Sequence, residues 1–137
     1  MRVDRTDPVI PFNLGNVLDA AGRRGEAIYA YEQAIGRDAA FAEAWLNLGV
    51  VREGMNRIAE AIGCYRQALE ARPDYPEALH NLAALLTRRG GFGEALPLWE
   101  RYLALSPPDD HVAGARRWAA LCRLELAEVA QDVERVW

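Results

Sequence analysis

Three asparagines, Asn13, Asn47 and Asn81, stand 34 residues apart along the chain. Asparagine is a weak helix former in an interior position, and its amide offers one acceptor and two donors. A row of such amides on one surface can bond the C=O and N–H groups of an extended peptide without reading its side chains. Other chemically active types are sparse. Cys64 and Cys122 have no second Cys or His at metal-ligand spacing, so both read as structural thiols and no metal site is expected. His80 and His111 have no sequence neighbours that complete a catalytic arrangement. Gly90-Gly91-Phe92-Gly93 reads as a turn between helices and not as a phosphate loop. The expectation is therefore no enzyme, no catalytic residue and no cofactor.

The elements that must position the amides follow from the same interval. A shift of 34 residues brings the chain into register with itself in three units, 8–41, 42–75 and 76–109, after a short extension, 1–7. Asn-Leu recurs at 13, 47 and 81, and Glu-Ala recurs at 26, 60 and 94. Gly15, Gly49 and Ala83 stay small, while Tyr31, Tyr65 and Trp99 stay aromatic. Apolar residues return every three or four positions, with Gly22, Asn56 and Gly90 midway, so each unit reads as two helices joined by a tight turn. The small columns, with Ala27, Ala61 and Ala95, allow close helix approach, and the aromatic column fills the gap beside them. Pro73 and Pro107 follow the second helices of units two and three; Ala39 stands there in unit one, predicting a softer boundary.

From Asp110 to Trp137 the spacing predicts one long helix, entered through Pro107-Pro108-Asp109-Asp110. Twenty-eight helical residues span about 42 Å at about 1.5 Å per residue, roughly twice the first helix of a unit. Ala115, Ala119 and Cys122 are placed to cover the last hairpin. From Leu126 onward the helix overhangs, leaving Val129, Val133, Val136 and Trp137 as a candidate oligomer interface, with a homodimer through this tail as one outcome.

Trp45, Leu48, Gly49, Ala61, Tyr65, Ala68 and Pro73 in unit two resemble the pattern of the tetratricopeptide repeat family. Units one and three depart from it: Pro11 and Leu79 replace the tryptophan, Ala83 the glycine, and Tyr102 the later alanine. The resemblance implies an all-α, right-handed solenoid of three hairpins plus a capping helix, whose first helices line a concave groove. With Leu14 and Leu18 taken as the buried stripe, the groove residues of the first helix are Val9, Asn13, Asn16 and Ala20. Their equivalents are Glu43, Asn47, Val50 and Gly54, then Glu77, Asn81, Ala84 and Arg88, with Phe12, Leu46 and His80 on the flank. Asn13, Asn47 and Asn81 are similar to the asparagine ladder in the repeats of O-linked N-acetylglucosamine transferases, whose catalytic domain has no counterpart here.

A second mode of the family, the carboxylate clamp of chaperone-associated repeats, is matched by Asn16 and Asn47. Phe12, Glu77 and Asn81 stand where its cations are expected. Asp19, Glu43, Glu53 and Glu77 lie on or near the expected face against Arg88, which favours a neutral or basic, extended protein or peptide over an anionic terminus. The residues expected to shape ligand preference are Val9, Phe12, Leu46, Val50, His80 and Arg88.

Composition bounds the rest. The 137 residues, 51% hydrophobic and 26% charged, suit one folded domain or one short array. The net charge of −4 excludes a strongly basic nucleic-acid footprint. No apolar run is long enough for a membrane span or a secretory signal, and a cytoplasmic location is the default expectation. Two rival functions share this architecture: a structural module that oligomerises through its last helix, and an adaptor or regulatory subunit of a larger complex.

Overall fold

The computed structural model describes residues 5–105 and 111–136, all of whose regular elements are helices. One compact unit, residues 1–73, holds α1 (Val9–Ala20), α2 (Arg24–Arg37), α3 (Ala42–Gly54) and α4 (Ile58–Ala71). A second, residues 74–137, holds α5 (Pro76–Arg88), α6 (Phe92–Ala104) and α7 (His111–Val136). The helices pair as α1 with α2, α3 with α4 and α5 with α6, and α7 packs on α6. The fold class is that of the all-α helical-hairpin solenoids. Pro107, Pro108, Asp109, Asp110 and Trp137 lie outside the described residues.

Each hairpin turns at the residue the spacing singled out. Gly22 and Gly90 have φ of 78° and 80°, and Asn56 has 59°. Glycine enters this left-handed region at little cost, and asparagine is among the few other residues that do so with any frequency. The second helices of the first two hairpins end at the same register, Arg37 and Ala71, although only the latter is followed by a proline. Asp38 accounts for the sharp stop at the first: its carboxylate accepts the N–H of Ala40 at 3.0 Å, and its carbonyl accepts that of Phe41 at 3.1 Å.

The small and aromatic columns meet as expected. A Cβ on Gly15 would lie 2.6 Å from the Tyr31 ring, and one on Gly49 would lie 2.6 Å from the Tyr65 ring. Tyr31, Tyr65 and Trp99 are among the largest fully buried side chains, with Ala27, Ala61 and Ala95 wholly buried beside them. In the first unit Ile28 and Tyr31 of α2 join Leu48 and Val51 of α3 and Cys64 of α4 in one core cluster, against which Phe12, Leu18, Ile35 and Trp45 pack.

Leu14 corrects the expected buried stripe of α1, being 53% exposed. The residues α1 buries are Pro11 and Gly15. Leu14 occupies the column of Leu48, which the preceding second helix covers; among the described residues no helix takes that place beside α1.

In the second unit Thr87 is the buried polar residue, and it is fully engaged. Its hydroxyl donates to the Ala83 carbonyl at 2.7 Å and accepts the Trp99 indole N–H at 3.0 Å, with the Cys122 sulfur 3.7 Å away. Ala115, Ala119 and Cys122 of α7 are buried, whereas every described residue from Ala127 to Val136 is exposed. No helix of the described residues is long and apolar enough to cross a membrane.

Two substitutions test this packing. Gly49→Ala forces the Tyr65 ring to move and should destabilise by about 1–3 kcal/mol, read by urea unfolding. An equal or higher midpoint would show that the helices are not held at contact distance. Thr87→Val keeps the shape but leaves the buried indole N–H of Trp99 without its acceptor, an expected cost of about 1–3 kcal/mol. Thr87→Ser should retain most of the stability in the same measurement.

Candidate functional site

The first unit carries a polar depression of about 200 Å³, lined by Asn16, Asp19 and Ala20 of α1, Tyr31 of α2, and Asn47 and Val50 of α3. Its floor follows from the packing below it. Because Gly15 has no side chain, the Tyr31 ring slides over α1 and its hydroxyl emerges beside Asn16. That hydroxyl donates to Asn16 Oδ1 at 2.6 Å, and Asn47 Nδ2 donates to the same oxygen at 2.9 Å. Burial, then the nearby Asp19 charge, push the Tyr31 pKa up to about 12 despite an opposing hydrogen bond from Asn47. Tyr31 is therefore a neutral donor at ordinary pH and not a base.

The amide that Asn47 meets is thus Asn16, and not its register mate Asn13, which is exposed and outside the depression. Val50 is 45% exposed and forms one wall. Val9 is exposed at the start of α1. Phe12 packs on Phe41 and Tyr31, with ring centroids 4.8 and 6.1 Å apart. Leu46 is corrected from the flank to the interior: it is buried, since the close helix pairing of the first unit leaves it no open side.

Asn81, half-buried, and Arg88, exposed, belong to the second unit. Arg88 Nε donates to the Ala84 carbonyl one turn back on α5. His80 departs from a simple flank position because an aromatic cluster surrounds it. Its ring centroid lies 5.3 Å from those of Trp99 and Tyr102 and 5.2 Å from that of His111. His111, exposed at the start of α7, helps to frame that cluster.

The acidic residues near the expected face are partly spoken for. Glu43 pairs with Arg72, and Glu53 accepts the Tyr65 hydroxyl at 2.9 Å. Asp19 is the carboxylate lining the depression. Sequence reasoning missed how the aromatic column is anchored, by Asn16 under Tyr31, Glu53 under Tyr65 and Thr87 under Trp99. A signal for two of these was present, since Asp19, Glu53 and Thr87 share one register column twelve residues before the aromatic.

Neither cysteine has the setting of a nucleophile. Burial pushes the Cys64 thiol up, against a partial pull from the Arg52 guanidinium, whose Nη1 lies 3.3 Å from the sulfur. Cys122 is buried. Among the described residues no group of three His, Cys, Asp or Glu is arranged to hold a metal ion.

No curated protein matches the chain. Among solved structures it is similar to the first tetratricopeptide domain of Spaghetti (RPAP3), bound in that structure to the HSP90 peptide SRMEEVD. The TM-score is 0.75 at 22% identity over 91% of this chain and 99% of that one. It is also similar to YrrB, described as a tetratricopeptide protein with an unusual peptide-binding site, with a TM-score of 0.77 at 23% identity over 87% of this chain and 60% of that one. The tetratricopeptide repeat family model matches residues 12–76 and 52–110, a span well over half of the chain. Helix pairing, turn chemistry and this match agree: the protein belongs to the tetratricopeptide repeat family.

Proposed function

We propose that the protein is a non-catalytic interaction module that holds an extended, neutral or basic peptide segment, with the Asn16–Asn47 pair as its main-chain contact. The observation that carries this reading is the cluster of Asn16, Asn47 and Tyr31 in an open depression beside Asp19 and Val50. The bonds among the three fix the amides in place, so a ligand meets donors and acceptors that have already lost their rotamer freedom. An asparagine carries one acceptor and two donors. Asn16 spends its oxygen within the cluster and keeps its NH2, whereas Asn47 spends donors and keeps its oxygen.

Asp19 biases the site toward a cation or a main-chain N–H. The peptide bound by one similar protein and the peptide-binding site described for the other support a peptide ligand as the class. An acidic terminus of the SRMEEVD kind fits less well, because Phe12, Glu77 and Asn81 occupy the positions where clamp cations are expected. Asn81, Arg88 and the half-buried His80 extend the same reading to the second unit, with Val9 and Phe12 at the entry of the first. The protein would act where other chains need to be held, as a scaffold or adaptor, with the cytoplasm as its expected setting.

A peptide display library selected on the wild-type protein supplies the probe. Val50→Arg alters an exposed wall and should leave helicity and unfolding midpoint nearly unchanged. It should weaken the selected peptides at least about tenfold, or about 1.4 kcal/mol. Asn47→Ala should cost similar affinity and also lower the melting temperature, because Asn16 loses a bond. Unaltered affinity in both variants would place the ligand elsewhere, and selection of acidic C-terminal sequences would overturn the charge argument.

A further inference from the structure

The first hairpin has an apolar edge that the peptide site does not use. Ile10, Leu14 and Val17 of α1 are 46, 53 and 65% exposed, and Tyr29 of α2 is 66% exposed. Ile10, Leu14, Leu18 and Tyr29 line an open groove of about 480 Å³. One period later the same column, Ala44, Leu48 and Val51, is 0, 1 and 3% exposed. Its cover is the preceding helix α2, which brings Ile28, Tyr31 and Ile35, an i, i+3, i+7 stripe. The α1 edge therefore has the form of a face that receives a helix bearing this stripe.

The same spacing returns at Ile62, Tyr65 and Leu69 on α4 and at Leu96, Trp99 and Leu103 on α6, where every member is buried or half-buried. It returns once more on the overhang of α7, at Leu126, Val129 and Val133. There Val129 and Val133 are 58 and 53% exposed, and Val136 beyond them is 76% exposed. Among the described residues the chain thus carries an uncovered receiving column on α1 and, beyond the half-buried Leu126, an exposed continuation of the stripe on α7.

Charge agrees with the match. Glu128 and Glu134 flank the stripe, and Asp132 beside them is paired with Arg135 at 3.8 Å. At the groove rim Glu26 is paired with Arg23 at 2.7 Å, leaving Arg37 as the lining cation.

We propose that the occupant of the α1–α2 groove is the α7 overhang of a second copy of this chain. The contact is heterologous, groove to tail, so it closes by reciprocal exchange in a pair or continues as a head-to-tail series. It stands independently of the peptide-binding reading, since it uses none of the residues of the polar depression.

Sedimentation equilibrium on the 137-residue chain tests it, with helicity checked by circular dichroism. Wild type should rise above the 15.3 kDa monomer as concentration increases from about 1 μM to about 1 mM. Leu14→Glu places a charge in the groove, and Val129→Glu with Val133→Glu places charges on the tail; all three positions are exposed, so both variants should fold. Each variant alone should remain monomeric. Their equimolar mixture should recover a one-to-one dimer, because one supplies an intact tail and the other an intact groove. Monomeric wild type throughout the range, assembly retained by Leu14→Glu, or a mixture that stays monomeric would each overturn the proposal, the second by pointing to tail-to-tail pairing.

Discussion

The contact of an aromatic ring with a glycine backbone sets the geometry of the first unit. Tyr31 on Gly15 and Tyr65 on Gly49 bring the helices of each hairpin to a separation that even a methyl group would disturb. A ring placed that deeply carries its polar tip across the helix pair, and the tip must then find a partner on the far side. Asn16 serves Tyr31 and Glu53 serves Tyr65. In the second unit Thr87 serves Trp99, beside an alanine in place of the glycine. Core packing and the polar surface are thereby one network: the side chains proposed to meet a ligand in the first unit are those that satisfy a buried tyrosine.

This coupling explains why the polar depression is preorganised. An isolated asparagine on a helix surface samples several rotamers and gives up that freedom when it binds. Asn16 is already bonded by Tyr31 and Asn47, and Tyr31 stays protonated because burial and Asp19 both oppose its ionisation. Gly15, which no ligand would touch, therefore shapes the site through the ring it admits. A substitution there would disturb stability and recognition together, whereas Val50 is exposed enough to affect recognition alone.

The helices and turns were legible because their causes are local. Gly22, Asn56 and Gly90 mark backbone that few residues enter, and the apolar spacing on either side admits one periodicity. The site was less legible because it breaks the repeat. Asn16 has Val50 and Ala84 as register mates, so comparison among units favours Asn13, Asn47 and Asn81 and conceals the amide that Asn47 meets. Leu14 misled for the reverse reason: its column is buried in the next unit by the preceding hairpin, and the column says nothing about whether a neighbour exists. His80 could not be placed from its own helix, since Trp99, Tyr102 and His111 reach it from α6 and α7.

The two surfaces on α1 lie on different sides of the helix, about 130° apart. At about 100° per residue, Ile10, Leu14 and Val17 cluster away from Asn16, Asp19 and Ala20; Ile10 and Leu14 line the apolar groove, and Asn16, Asp19 and Ala20 line the polar depression. A tail seated on the apolar edge would leave the polar depression open. Copies joined in that way would present several depressions on one assembly, and a partner with more than one extended segment would engage the second at a high effective concentration. Modest affinity at each depression would then suffice for firm capture. The apolar edge would set how many sites act together, and the asparagine pair would set what each one holds.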